Sequence, residues 1–340
     1  MNKSSSTFAA LLLTAAMCAP ATLAQSDKDK VKQGTESDVN AIGDRKVGHG
    51  PDMYSIQREI ALGKELSQEV EKTSKLINDP VIVAYVNKVG QNLVRNSDAQ
   101  VPFTIKVIDD DHINAFALPG GFFYVNSGVL LHADNESELA GVMAHEIAHV
   151  CARHQTRNAT KANIMQIASI PLIMTLPGTL AGYGIYEGMN FAIPLTYLKF
   201  SRDAEREADY LGIQYMYKAG YDPNGMINIF EKFETIEKKQ PGTIPKIFDT
   251  HPATPDRITA AQNEISTILP ARPEYIVTTA EFDSVKSRIQ RINAGEKIQE
   301  ERDGGKPTLK TKEEQKKAQN KQQTPTNQDD NAPVLKRRPN

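Results

Sequence analysis

The sequence has 340 residues, which is enough for one large domain or two small ones with a buried core. It carries 40 lysines and arginines against 42 aspartates and glutamates, so the formal net charge is −2. This balance excludes a strong electrostatic attraction to nucleic acid, and we expect no nucleic-acid partner.

Residues 1–24 are predicted to be a secretory signal peptide. Lys3 precedes an apolar run over Phe8–Ala19, and alanines at positions 21 and 24 suit cleavage before Gln25. The run is shorter than the ~20 residues of a membrane-spanning helix. We therefore expect a periplasmic protein, with an uncleaved membrane anchor as the alternative.

Cleavage at that point would leave Cys151 as the only cysteine, because Cys18 is removed with the signal segment. A single thiol forms no internal disulfide. We expect Cys151 to be a small buried residue.

The predicted domain spans residues 51–295 and follows a polar, aperiodic segment, 25–50, that we interpret as a flexible linker. Apolar residues at helical spacing predict two helices, and an alternating pattern then predicts a strand. A turn at 119–121, with the sequence Pro-Gly-Gly, precedes a second strand rich in β-forming residues. These elements are placed at 52–76, 81–94, 103–108 and 122–126.

A helix is predicted over Ser137–Thr156, where Asn135 and Glu138 have the spacing of a capping box. The segment Asn163–Leu198 follows; it is uncharged apart from Glu187, and we call it the uncharged segment. Its prolines and glycines exclude one long helix, so it is not a simple transmembrane span. It is a lid over the site, a membrane-surface contact or ordinary core, and we favour the lid.

Ser201 is predicted to cap a further helix that ends at Gly220. Helices also follow Pro223 and Thr254-Pro255, with a short strand at 275–279 and a last helix at 280–292. Residues 296–340 are nearly all polar and cannot bury enough apolar surface to offset the entropy of ordering. We expect them to form a disordered tail.

The chemistry is predicted from His145, Glu146 and His149, which fall on the same helix. Residues four apart on a helix project from the same face, so the two imidazoles can bind one Zn²⁺. Glu146, next to the first ligand, is then placed to act as general base on water. One zinc ion per chain is expected.

Three protein ligands are needed, and several candidates for the third are disfavoured. The metzincin pattern is excluded, because Ala152 and Gln155 stand where that class has a glycine and a third histidine. On a continuous helix His154 would point away from the metal. Glu187 lies in an irregular, glycine-rich segment, and we do not favour it.

The helix after Ser201 offers a better candidate. Glu205 and Asp209 share a helix face at i, i+4, so we place Glu205 as the third ligand and Asp209 behind it, orienting a ligand histidine. Glu207 lies about 200° from Glu205 around a helix of 3.6 residues per turn, and we expect it to be solvated.

These motifs resemble the zinc metallopeptidase family of HtpX and the CAAX prenyl protease. The resemblance rests on the segments 145–149 and 201–209, on 114–121 before a strand, and on Thr250-His251-Pro252 followed by Arg257. Together they cover roughly residues 50 to 265 in family order. HtpX-like members carry membrane spans, whereas this sequence predicts none after its signal segment. It therefore looks closer to soluble periplasmic members, without the helical repeats that some of them have.

The resemblance implies a gluzincin, in which His145, His149 and Glu205 bind zinc and Glu146 is the catalytic acid/base. The implied fold class is α+β and mostly helical, with a small β-sheet whose edge strand faces the cleft. We interpret the strand 122–126 either as that edge strand, pairing with an extended substrate, or as a plain core strand.

His251 precedes a predicted helix start and has three interpretations. It stabilises the oxyanion of the transition state, it coordinates zinc and shuts the site in a resting state, or it is a surface or packing histidine. The candidates for catalysis are thus Glu146, His251 and Asp209.

Two functions from different classes remain. The first is a metalloendopeptidase of the bacterial cell envelope that acts on misfolded or misassembled proteins. The second is a zinc-stabilised periplasmic chaperone or outer-membrane assembly factor with little proteolysis. Glu146 favours the first, because a structural zinc site has no use for a base beside its ligand.

Overall fold

The computed structural model describes residues 34–174, 200–239, 251 and 255–304. The predicted signal peptide, residues 175–198 of the uncharged segment and the tail beyond 304 lie outside these ranges. Within the described residues, no helix has both the length and the apolar composition that crossing a membrane requires.

The described residues form a mostly helical domain with one small sheet, which confirms the predicted fold class. Short 3-10 turns occur at Val39–Ala41 and Pro119–Gly121. The longer elements are α1 Ile56–Thr73, α2 Pro80–Arg95, β1 Thr104–Ile108, β2 Ala115–Leu118, β3 Phe122–Asn126, α3 Ser127–His132, α4 Glu136–Cys151, α5 His154–Met174, α6 Arg202–Ala219, α7 Asn224–Lys239, α8 Pro255–Thr267 and α9 Ala280–Gly304.

Local signals explain several helix ends. Asp79 caps α2 through bonds from the N–H groups of residues 81 and 82, and Pro80 occupies the first helical position. The Ser201 side chain accepts from the N–H of Ala204 at the start of α6, as predicted. Gly220 ends that helix with φ of 92°, a left-handed conformation that suits glycine.

The sheet has the strand order β1-β3-β2, with β1 parallel and β2 antiparallel to β3. Gly120, with φ of 74°, turns the chain between β2 and β3; a Cβ there would lie 2.6 Å from the Cα of Ile60. The prediction that the strand at 122–126 forms the edge is wrong, because this strand is central. The edge strand beside α4 is β2, a four-residue strand that was not predicted from the sequence.

Helix α4 lies at the centre of the domain, packed against α2, β2, α6 and α7. All its residues are buried, including Cys151, as predicted. Helix α6 approaches it closely at Gly212, where an added Cβ would lie 3.2 Å from the backbone nitrogen of His145. Because the two helices pack so closely, their polar faces come within reach of each other.

Residues 34–50, predicted as part of a flexible linker, instead pack against the helices. Arg45 is buried, and its Nε lies 3.0 Å from Asp98 Oδ2. A second guanidinium nitrogen of Arg45 donates to Gln214 of α6 at 2.7 Å. The Tyr215 hydroxyl donates to the same Asp98 carboxylate at 2.8 Å. This network joins the N-terminal segment to α6.

Candidate metal centre

Two histidines of α4 and one carboxylate of α6 converge in the interior. His145 Nε2 and His149 Nε2 lie 3.1 Å apart, and each is 3.5 Å from an oxygen of Glu205. All three side chains are almost fully buried. The i, i+4 spacing on α4 and the close packing of α6 therefore bring together the three residues that were selected from the sequence as ligands.

The donor set suits a tetrahedral metal ion. Bonds of about 2.0–2.1 Å to a shared ion place donor atoms about 3.3 Å apart, close to the observed separations. From the residues that the structure describes, the buried Glu205 Oε2 accepts no hydrogen bond of good geometry, although Arg257 lies 3.0 Å away. Two imidazole nitrogens and a carboxylate oxygen thus face one point, and they fit a divalent cation there.

The electrostatics of the two histidines differ. Burial lowers the pKa of His149 well below its usual value, so its imidazole is neutral, the form that binds metal. Burial also acts to lower the pKa of His145, but hydrogen bonds to Asp209 and Glu205 outweigh it and raise the pKa to about 9. In the metal-free protein these carboxylates therefore favour the protonated form of His145.

Asp209 lies behind His145, as predicted from the sequence. His145 Nδ1 is 2.9 Å from Asp209 Oδ1. Arg257 of α8 donates to both oxygens of Asp209, at 2.6 and 2.7 Å. Burial acts to raise the pKa of Asp209, but the Arg257 charge outweighs it and lowers the pKa. A charged carboxylate with a fixed partner can orient His145 for a metal.

Glu146 extends from α4 toward strand β2, beside the cluster. Its Oε2 accepts from the backbone N–H of Ala117 in β2 at 3.2 Å, and its Oε1 lies 3.5 Å from His251 Nε2. Burial raises the pKa of Glu146. A carboxylate with a raised pKa has a proton affinity nearer to what general-base chemistry at neutral pH requires.

His251 lies inside the cluster, and the described part of the chain places its Nδ1 3.3 Å from His145 Nε2 and 2.9 Å from Glu205 Oε1. The four donor atoms of His145, His149, Glu205 and His251 all lie within 4.8 Å of one another. The interpretation of His251 as a surface histidine is therefore wrong. Its two functional interpretations both remain proposals.

The surroundings predicted for the side chains of His154 and Glu207 were wrong. The predicted helix to residue 156 ends at Cys151, and Arg153 takes a left-handed φ of 56° before α5 begins. This break turns His154 back toward the site, with its Nδ1 2.8 Å from His149 Nδ1. His154 Nε2 lies 3.2 Å from Glu207, so that carboxylate is partly buried rather than solvated. No proline or glycine in this stretch signals the break.

Aromatic rings form one wall of the site. The Phe200 ring stacks on His149 with centroids 4.0 Å apart and an angle of 26° between the planes. Phe230 meets His145 edge-on at 5.6 Å. Glu187, the acid that we disfavoured as a ligand, lies outside the described residues.

Residues 82–265 match the profile of the family described as Peptidase family M48. The chain is 33% identical over 258 residues to the beta-barrel assembly-enhancing protease of Escherichia coli, an alignment covering 71% of this chain and 50% of that protein. Its identity to the putative beta-barrel assembly-enhancing protease of Vibrio cholerae is 34% over 254 residues, covering 73% and 50%.

The mitochondrial metalloendopeptidase OMA1 of Schizosaccharomyces pombe is 34% identical over 181 residues, covering 51% of this chain and 50% of that protein. The chain spans about half the length of the curated relatives it matches.

Proposed function

The chain belongs to peptidase family M48, and from that premise we propose that it is a zinc-dependent endopeptidase that cleaves misfolded or misassembled proteins of the bacterial cell envelope. The observation that carries the proposal is the convergence of His145, His149 and Glu205 beside Glu146. Relatives named beta-barrel assembly-enhancing protease support the envelope setting. The predicted signal peptide supports a periplasmic location.

In this proposal His145, His149 and Glu205 hold the zinc ion. Zinc bound by these residues supplies a Lewis acid that polarises the peptide carbonyl and acidifies water. Glu146 takes the proton of the attacking water at Oε1, the oxygen that Ala117 does not engage. The same carboxyl then gives the proton to the leaving amine. Asp209 and Arg257 keep His145 oriented throughout.

We assign substrate pairing to β2 rather than to the strand at 122–126. Residues 114 and 126 are joined by a backbone hydrogen bond. Hydrogen-bonded and non-hydrogen-bonded residue pairs alternate along antiparallel strands, so Ala117 and its partner on β3 form a non-hydrogen-bonded pair. The N–H and C=O of Ala117 therefore point away from β3. These groups meet Glu146 and Gln155, respectively, on the side of α4. An extended peptide aligned with β2 therefore passes beside the general base.

The assembly-factor alternative has one observation in its favour, namely the words "assembly-enhancing" in the names of the relatives. The two functions differ in what metal removal does. We expect the mature chain to cleave a permanently unfolded protein, such as reduced and alkylated lactalbumin. Cleavage should stop with a chelator and return with zinc. Metal-independent suppression of aggregation without any cleavage would instead support the assembly factor.

We further propose that His251 locks the resting site. Its Nδ1 already lies among the donor atoms, where it would fill the zinc position that water needs. His251→Ala is therefore expected to raise the rate on a short peptide severalfold above a low basal rate. His112→Ala, at an exposed histidine paired with Asp110, is the matched control.

A fall of about 10²-fold in kcat with unchanged zinc affinity would contradict the lock, since removing one oxyanion donor has an effect of that size. In that case His251 is a catalytic group. The uncharged segment 163–198 is proposed as a lid, with contact to a membrane surface or ordinary core as the alternatives.

A further inference from the structure

The outer nitrogen of His149 contacts another histidine instead of a carboxylate. His149 Nδ1 lies 2.8 Å from His154 Nδ1, and His154 Nε2 lies 3.2 Å from Glu207 Oε2. His149 and His154 are both buried, and Glu207 is only 13% exposed at its side chain. Three side chains therefore form one chain of polar contacts that starts at a proposed metal ligand.

The direction of this chain follows from the ligand role of His149. A histidine that offers Nε2 to a metal carries its proton on Nδ1 and must donate there. His154 Nδ1 is then the acceptor, so the His154 proton lies on Nε2 and is donated to Glu207. The arrangement permits one tautomer of each ring, and Glu207 fixes both because it only accepts.

Two residues of the N-terminal segment contact Glu207, at the outer end of this series of polar contacts. Gly48 donates its backbone N–H to Glu207 Oε1 at 2.8 Å, and His49 Nδ1 lies 3.2 Å from the same oxygen. Gly48 has φ of 83°, and a Cβ there would overlap the carbonyl oxygen of Ala152. The backbone at Gly48 therefore lies directly against the break between α4 and α5 that places His154.

The two proposed histidine ligands thus have different outer partners. His145 is backed by Asp209, whose charge is matched by the buried Arg257. His149 is backed by a neutral imidazole, with the carboxylate one step further out. Removing His154 leaves the buried Nδ1–H of His149 without an acceptor, which both costs free energy and frees the ring to turn.

We propose that His154 and Glu207 are positioning residues that hold His149 toward the metal, and that Gly48 anchors their outer end from the N-terminal segment. This inference rests on the proposed function for the ligand role of His149. It gives residues 34–50, which the sequence suggested were a linker, a part in assembling the metal site.

The test measures zinc affinity of the metal-free, full mature chain by competition with a chromophoric chelator, together with kcat and KM. His154→Phe keeps the ring and removes both nitrogens. We expect its zinc affinity to fall about 10- to 100-fold, the usual effect of losing an outer partner, and kcat to fall with KM unchanged. His154→Asn, which returns an acceptor near the Nδ1 position, should recover most of that affinity.

Glu207→Leu tests the next step and should weaken zinc binding about 10-fold, at the lower end of the same range. Asp203→Leu is its control on the same helix, because Asp203 is 93% exposed at its side chain. A thermal unfolding transition in each metal-free variant verifies that it folds. If His154→Phe does not fold, Glu207→Leu provides the test.

Wild-type zinc affinity in both His154→Phe and Glu207→Leu would overturn the inference, as would a His154→Asn variant no better than His154→Phe. The affinity measurement is independent of proteolysis. If the zinc affinities of the variants follow the expected order but the wild-type protein cleaves no substrate, the proposed function is refuted and the inference about His154 and Glu207 stands.

Discussion

Replacing Glu146 with glutamine is expected to abolish nearly all peptide hydrolysis while zinc binding stays at the wild-type level. The carboxamide cannot accept the proton of water, and a general base contributes about 10²–10⁴-fold to such a reaction. Because Glu146 donates no electron pair to the metal in the proposed site, no ligand is lost. We expect kcat on a short peptide to fall about 10³-fold, at the middle of that range.

The measurement pairs steady-state cleavage with metal content after dialysis. The carboxamide oxygen of the Glu146→Gln variant can still accept from Ala117, so the strand contact survives and the variant should fold. Glu138→Gln is a useful comparison, since Glu138 is also buried in α4 but lies at the far end of the helix. A Glu146→Gln variant that cleaves at near-normal rate would show that the base is elsewhere.

The second large effect is expected at Glu205, where replacement should remove both metal and activity. Glu205→Ala deletes the only carboxylate among the three proposed ligands. The zinc affinity should fall by more than the roughly 10–100-fold that loss of an outer partner causes. Arg257, 3.0 Å from Glu205 Oε2, would also lose this carboxylate while keeping its contact with Asp209.

That change at Arg257 makes Glu205→Gln the better test, because it keeps the shape of the side chain and offers Arg257 an amide oxygen. Inductively coupled plasma analysis gives the metal content of each variant, and circular dichroism verifies the fold. Full zinc occupancy in Glu205→Gln, at wild-type affinity, would move the third ligand elsewhere and leave His251 as the nearest alternative donor.

The sequence predicted most reliably what depends on uninterrupted helices. His145 and His149 on α4, and Glu205 and Asp209 on α6, each lie one helical turn apart, so fixed periodicity places both members of a pair on the same face. The capping serine of α6 marked its start. Once both helices are predicted correctly, close packing of α4 against α6 is enough to bring the two pairs of residues together.

Features that depend on breaks and short strands were not predicted. His154 was placed by assuming a continuous helix, and the left-handed Arg153 has no sequence signal. Strand β2 has only four residues, two of them alanine, so its pattern is too short to indicate a strand. The partner of a strand is also a tertiary property, which is why the sequence left open whether the strand at 122–126 lies at the edge or in the core.

The N-terminal segment shows a third kind of miss. Residues 34–50 are polar and aperiodic, a composition typical of linkers. Arg45 is nevertheless buried, because two of its guanidinium nitrogens donate to Asp98 and Gln214. Composition alone reports how costly a side chain is to bury; only the folded structure reveals the partners that offset the cost.

The contacts of Ala117 bear on which proteins this site can accept. Its N–H donates to Glu146 and its carbonyl accepts from Gln155. If a peptide pairs with β2 as proposed, it must replace both bonds with its own backbone. An unfolded chain can form these bonds by giving up only its hydrogen bonds to water. A folded client would first have to break its internal ladder, at a large further cost. Under the proposed pairing, strand β2 would therefore discriminate by the client's state of folding, without reading any particular side chain.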